Sequence, residues 1–277
     1  MFLLEMLKSI VQGILQGITE WLPISSTGHI LLLDSVWKMQ FSSPAVFDVF
    51  KVVIQLGSIL AVLVLYFHKL NPFSAKKTAV EKKGTWVLWS KVLIASVPAA
   101  AAGLVLDDLI DEKLSVPLVI AVALIVYGIA FIVMESVNRK AKVNTLADLS
   151  YRQAFAIGAF QMLALIPGTS RSGSTILGAT LVGTSRTVAA EFSFFMAIPV
   201  MLGASALKLL KFMMKGLRFT PADWALLLVG SVVAFIVSVI VIRFLMNFIK
   251  KRDFKPFGWY RIVLGAVVLL CWACGWL

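Results

Sequence analysis

Two short stretches decide how this chain is read: P-I-S-S-T-G-H at 23–29 and P-G-T-S-R-S-G at 167–173. Each is a proline followed by hydroxyls and glycine, set in a chain that is otherwise apolar. The first follows an apolar, helix-length run over 2–22 and precedes a short apolar arm over 30–37. The second follows 151–166 and precedes 174–182. Arms of about ten residues make about 15 Å of helix, half of a hydrocarbon core of about 30 Å. A helix, a broken polar turn and a half-length return arm describe a re-entrant hairpin. Such backbone is tolerated at membrane depth only where it is buried in protein or lines a wet cavity.

The rest of the chain agrees with a membrane setting. Of 277 residues, 60% are hydrophobic and 14% charged, with mean hydropathy +0.94. A soluble domain is nearer 45–50% apolar and about 25% charged, so a soluble globule and a disordered chain are both excluded. Spans are predicted over 47–67, 92–106, 116–134, 191–210, 224–245 and 259–277, with Lys91 snorkelling to lengthen the second. The fold class is an all-α polytopic membrane protein. The net charge of +12 would suggest nucleic acid in a soluble protein; here it reads as basic loops beside anionic headgroups, with no nucleic-acid partner. Stretches 68–91, 135–152 and 243–255 are basic and are placed in the cytoplasm. The acidic 107–115 (Asp107, Asp108, Asp111, Glu112, Lys113) is placed outside. Lys208, Lys211, Lys215 and Arg218 fall outside by the same count, against the rule. His68, where a span meets a lysine-rich stretch, reads as a headgroup-level residue. Cys271 and Cys274 lie in the last apolar run and read as packed small residues. The first residues, with Glu5, Gln12, Gln16 and Glu20, lack the features of a removable signal.

The two hairpin segments also match each other. At an offset of 145, Gly13, Gln16, Ser25 and Gly28 fall on Gly158, Gln161, Ser170 and Gly173. Each half reads as one hairpin plus three spans, an odd number of crossings, so the second half starts on the opposite side. The expectation is an inverted-topology repeat. Residues 1–134 form the first repeat (hairpin 2–37), 135–150 a cytoplasmic linker and 151–277 the second repeat (hairpin 151–183). The site then lies near mid-membrane, where the broken helices meet.

The chemistry sits in those turns. Gln16 and Glu20 share a helical face, which Gln12 and Glu5 extend, and an intramembrane carboxylate is a functional candidate by default. Ser25, Ser26, Thr27, Gly28 and His29 crowd a helix start, where backbone N–H groups favour an anion. Thr169, Ser170, Arg171, Ser172 and Gly173 do the same, and the Arg171 fork suits phosphate oxygens. No phosphate-binding loop of the G-x-x-x-x-G-K-[ST] type is present. The set suits hydrolysis of a phosphate ester by positioning and charge neutralisation. A carrier or flippase of polyprenyl phosphate is the alternative that broken helices allow. An acid-phosphatase-type loop would need a second, downstream nucleophilic histidine, which is lacking beyond His68.

With these motifs the chain resembles the bacterial undecaprenyl-diphosphate phosphatase family of the bacitracin-resistance type. The resemblance rests on Q-G-I-T-E-W-L-P-I-S-S-T-G-H (16–29) and P-G-T-S-R-S-G (167–173), with F-K-V-V-I-Q-L-G-S-I-L-A (50–61) and A-E-F-S-F (190–194) extending it over essentially the whole chain. It implies a multi-pass protein of the bacterial plasma membrane that acts on a polyprenyl diphosphate lipid, recycles the cell-wall lipid carrier and confers bacitracin resistance. It also implies that Glu20, Ser26, His29 and Arg171 occupy essential positions, while Gln16 fills a slot often held by Glu. On this basis Ser26 is expected to attack phosphorus or position a water. His29 would move protons, Glu20 would orient His29 or hold a divalent cation (Mg or Ca) with Gln16, and Arg171 would grip the departing phosphate. Ser25, Thr27, Gly28, Thr169, Ser170, Ser172 and Gly173 are expected to bind phosphate, in a cavity open to the outer face. Homo-oligomerisation stays open.

Overall fold

The computed structural model describes residues 2–137 and 140–277, and within them not the side chains of 107–109, 111 and 112. The acidic group Asp107, Asp108, Asp111 and Glu112 and the basic Arg139 therefore lie outside the described side chains. The described chain is helical: α1 (Phe2–Thr19), α2 (Ser26–Val36), α3 (Pro44–Leu65), α4 (Phe67–Leu70), α5 (Ala79–Lys113), α6 (Pro117–Ser136), α7 (Tyr151–Met162), α8 (Arg171–Leu181), α9 (Arg186–Met214), α10 (Pro221–Ile249) and α11 (Lys255–Ala273). A 3₁₀ turn, Leu163–Leu165, leads out of α7.

Six of these helices (α3, α5, α6, α9, α10 and α11) are long and apolar enough to cross a membrane, and they are the six predicted spans. Most run further than hydropathy suggested because polar residues start them. Pro44, Pro117 and Pro221 lie in the first turns of α3, α6 and α10, where a missing N–H costs nothing. Ser43, Ser185 and Thr220 cap α3, α9 and α10, and Thr78 with Glu81 forms a reciprocal capping box at α5. Two connections thus correct the sequence reading. Half of the basic stretch 68–91 is the first part of α5, and the helix continues through the acidic stretch to Lys113. Lys91 does not snorkel: it is 5% exposed, and its Nζ donates to the carbonyls of Leu146 and Ala147. The linker is pinned as well, since Lys142 and Val143 donate to the Gly183 carbonyl and Ser185 donates back to Val143.

Helix directions follow from the contacts. Ser9 Oγ donates to the Leu226 carbonyl, and a Cβ on Gly13 would meet the Gly230 carbonyl and one on Gly17 the side chain of Val237. Because both sets of numbers rise together, α1 runs parallel to α10. Likewise Tyr151 pairs with Ser90, and a Cβ on Gly158 would press on the carbonyl of Ala95, so α7 runs parallel to α5. The start of α10 lies beside the start of α3, through Ser42 and Asp223. The first part of α5 lies beside α4, which follows directly on the end of α3, through Trp89 Nε1 and the Leu70 carbonyl. The core between them is aromatic and aliphatic, with Trp21, Phe131, Phe192, Phe194 and Phe195 fully buried.

Gly158 is the tight point of the α5–α7 contact. Gly158→Ala is expected to lower stability by about 1–3 kcal/mol, the usual range for overpacking. Gly203→Ala in α9, where a Cβ meets nothing within 4 Å, leaves stability unchanged or raises it slightly. Thermal unfolding of both variants in the same detergent checks the contrast.

Candidate functional site

The two broken turns meet. Helix α2 starts at Ser26 and α8 at Arg171, so Ser26, Thr27 and Ser172 lie in first turns of helices, while Ser25, Thr169 and Ser170 lie just before them. The residue before each helix, Ser25 in one and Ser170 in the other, has φ of 75° and 71°. Positive φ outside glycine costs of the order of 1–3 kcal/mol per residue. The same strain thus recurs at the two positions matched by the offset of 145. Ser170 caps α8 through the Gly173 N–H. Ser25 makes no such bond, and its buried hydroxyl has no partner, so the leading N–H groups of α2 lack a side-chain cap.

Glu20 and Arg171 form the bridge between the turns. Arg171 Nε and Nη2 donate to Glu20 Oε1 at 3.2 and 3.0 Å, and Nη1 donates to the Ser193 carbonyl at 2.8 Å. The guanidinium lies 5.7 Å from the Trp21 ring centroid. Gln16 Nε2 donates to Glu20 Oε2 at 2.8 Å, leaving the buried Gln16 Oε1 without a partner. A guanidinium has five N–H donors; three are engaged here, and two remain for an anion. Ser172 Oγ also crosses between the turns, donating to the Leu22 carbonyl at 3.1 Å.

The other expected site residues divide. Ser26 is half-buried and Thr27 exposed, and Ser26 Oγ makes no hydrogen bond among the described residues, so it is free to meet a ligand. Thr169 is committed to the carbonyls of Leu163 and Ile166. Gly28 and Gly173 permit close approach: a Cβ would lie 3.0 Å from Leu124 Cδ1 at one and 3.0 Å from Arg261 Nη1 at the other. His29 differs from expectation. Its ring nitrogens meet the Ser25 carbonyl and the Tyr260 hydroxyl, each at 2.6 Å, while Glu20 is held by Arg171 and Gln16 and so does not orient it. Glu5 stands apart, paired with Lys8 and with the Gln40 N–H, and Gln12 is buried among apolar neighbours with Nε2 unpartnered.

Sequence reasoning missed Arg261. It is fully buried, and its guanidinium donates to carbonyls of both turns: Nη1 to Pro23 at 3.1 Å, Nη2 to Gly168 and Thr169 at 2.9 Å each. The Tyr127 ring centroid lies 5.3 Å from it. A signal existed, because an arginine in an apolar run deserves the same attention as an intramembrane carboxylate. It stands near the start of the last predicted span, far in sequence from both turns.

The described residues thus form an all-helical protein with six helices long and apolar enough to cross a membrane, in which a carboxylate and an arginine join two interrupted turns. Comparison with known proteins gives that class a family. Residues 9–267 match the family described as bacitracin resistance protein BacA, and the chain belongs to it. It is 57% identical to the undecaprenyl-diphosphatase of Enterococcus faecalis over 96% of each chain. It is 58% identical to undecaprenyl-diphosphatase 1 of Clostridioides difficile over 96% of each. Against the undecaprenyl-diphosphatase of Lactiplantibacillus plantarum it is 56% identical, over 96% of this chain and 98% of that one.

Removing the buried cation tests its part in the architecture. Arg261→Met leaves three carbonyls without their donors and is expected to cost at least about 3 kcal/mol of stability. Arg171→Met, in a less enclosed place, costs less. Denaturant unfolding of both variants checks the order.

Proposed function

We infer that this chain is an integral-membrane phosphatase that hydrolyses undecaprenyl diphosphate to undecaprenyl phosphate and inorganic phosphate. The observation that carries the reading is the Glu20–Arg171 bridge between two hydroxyl-rich helix starts, in a chain 53–58% identical to curated undecaprenyl-diphosphatases. Polyprenyl phosphate carriage, the runner-up, has no need of an unbonded Ser26 hydroxyl at one of these helix starts. Arg171 would take the terminal phosphate on its two remaining N–H donors. The helix starts at Ser26 and Arg171 would supply further N–H groups to its oxygens. Ser26, or a water it positions, would attack the terminal phosphorus, and His29 would exchange the proton.

The same reading includes an inverted repeat with two re-entrant hairpins. Its support is the exchange of partners: α1 lies along α10 in the other half, and α7 along α5. Helix α1 begins at the end of the bundle where α3 begins, and α7 begins at the end where α3 finishes. With the basic stretches 68–91 and 135–152 in the cytoplasm, the first hairpin enters from outside, and the active site opens to the outer face of the plasma membrane.

The divalent cation is carried forward as part of this proposal. Among the described residues no three His, Cys, Asp or Glu side chains converge. Magnesium is commonly held by one or two carboxylates together with substrate phosphates, and Glu20 with the unpartnered Gln16 Oε1 fits that smaller demand. When bound with the diphosphate, the cation would neutralise part of its charge.

Phosphate release from undecaprenyl diphosphate by purified protein tests the reading. Wild type is expected to turn over, Ser26→Ala to fall by about 100-fold or more, and Arg171→Lys to lose most activity because an ammonium cannot reproduce the fork. A chelator should slow the wild type, and Mg²⁺ or Ca²⁺ should restore it. Lipid transport without phosphate release would favour the carrier reading.

A further inference from the structure

The hydrogen bonds of His29 fix which of its nitrogens exchanges a proton. Nδ1 lies 2.6 Å from the carbonyl oxygen of Ser25. A carbonyl only accepts, so Nδ1 carries a proton and donates it. Nε2 is then the bare nitrogen of the neutral ring, and it lies 2.6 Å from the Tyr260 hydroxyl, which donates to it. The two rings are nearly parallel, with centroids 5.6 Å apart and planes at 10°. The lone pair that makes His29 a base therefore faces a phenol rather than Ser26. Tyr260 stands on α11, one residue before the buried Arg261 that grips both turns, so its backbone is held to the same frame. Its side chain is 46% exposed, and its oxygen has lone pairs left for another O–H.

We propose that Tyr260 is a catalytic proton relay between His29 and the attacking oxygen. The proposal rests on the phosphatase reading and adds to it the route of the proton. In the attack step the O–H bond of Ser26, or of the water it positions, breaks and its proton passes to Tyr260 Oη. The Tyr260 O–H proton passes to His29 Nε2. The phenol is regenerated in the same step and the ring becomes an imidazolium, while the attacking oxygen bonds to the terminal phosphorus and the bond from that phosphorus to the bridging oxygen breaks, so that undecaprenyl phosphate leaves with the electron pair. The imidazolium returns its proton through Tyr260 to the leaving oxygen or to water; where Ser26 is the attacker, a water then attacks the phosphoserine, its proton taken by the same route and returned to Ser26 Oγ, and inorganic phosphate is freed. No redox change occurs, and no co-reactant is consumed.

Tyr260→Phe isolates the hydroxyl, because the phenyl ring preserves the stack on His29. With full-length protein in detergent and undecaprenyl diphosphate as substrate, the proposal expects kcat to fall about 100-fold or more, the lower end of the range for a positioned acid–base group, while KM stays within about twofold. Thermal unfolding of Tyr260→Phe should match wild type. In a His29→Gln background the same substitution should cause no further loss, since a relay without its base carries nothing. Turnover of Tyr260→Phe at or above the wild-type rate overturns the proposal, because His29 then reaches the attacking group directly. So does a loss that multiplies with that of His29→Gln, and so does a rise in KM that accounts for the whole effect. Absence of phosphate release from wild type would instead sink the phosphatase reading itself.

Discussion

Arg261 is a full positive charge inside the protein, with backbone carbonyls rather than a carboxylate as its acceptors. Two helices that stop within the bundle leave carbonyls and N–H groups with nowhere to go, and neither lipid nor a strand can take them. Arg261 supplies donors to both interruptions at once, so the turn of one half cannot settle without the turn of the other. Charge-assisted bonds of this kind contribute about 1.5–3 kcal/mol each. The positive φ at Ser25 and Ser170 costs of the order of 1–3 kcal/mol each. Three such bonds are of the same order as the strain at the two residues, which is how unfavourable backbone can persist where the two turns meet.

The charge pair above it follows from this frame. Glu20 ends the helix that leads into the first turn, and Arg171 opens the helix that leaves the second. Once the turns are clasped, a carboxylate and a guanidinium have little choice but to meet. A buried pair is weak support for stability, since desolvation offsets much of the attraction. Its value here lies in pre-arrangement. Glu20 and the Ser193 carbonyl hold three donors of Arg171 in place, so the side chain is already ordered while two donors stay unbonded. Gln16 completes the hold by tying the other oxygen of Glu20.

Much of this was legible in the sequence. The six spans and the two interrupted segments follow from apolar run length and proline punctuation, and Glu20 and Arg171 stand out by the rarity of charge in such surroundings, while the weight given to Ser26 and His29 comes from the family resemblance. The extents of α5 and α9 were not, because a capping box such as Thr78/Glu81 carries a helix well outside the hydrocarbon core, where hydropathy is silent. Lys91 looked like an interfacial residue, and only the folded linker supplies the two carbonyls that bury it. Arg261 and Tyr260 were missed for a shared reason. Their partners lie more than 90 residues away, in the turns, and no local pattern on α11 announces a long-range partner.

The same distance explains why the hydroxyls do not act as a uniform phosphate cradle. A serine or threonine that ends a buried helix must first satisfy its own neighbourhood. Thr169 turns inward to two carbonyls of the 3₁₀ segment, Ser170 caps α8, and Ser172 closes the gap to Leu22. The second turn thus spends its hydroxyls on structure and offers Arg171. The first turn leaves Ser26 unbonded and Thr27 in the open. Two segments that match in sequence therefore differ in what they leave unbonded: the Ser26 hydroxyl in the first, two N–H donors of Arg171 in the second.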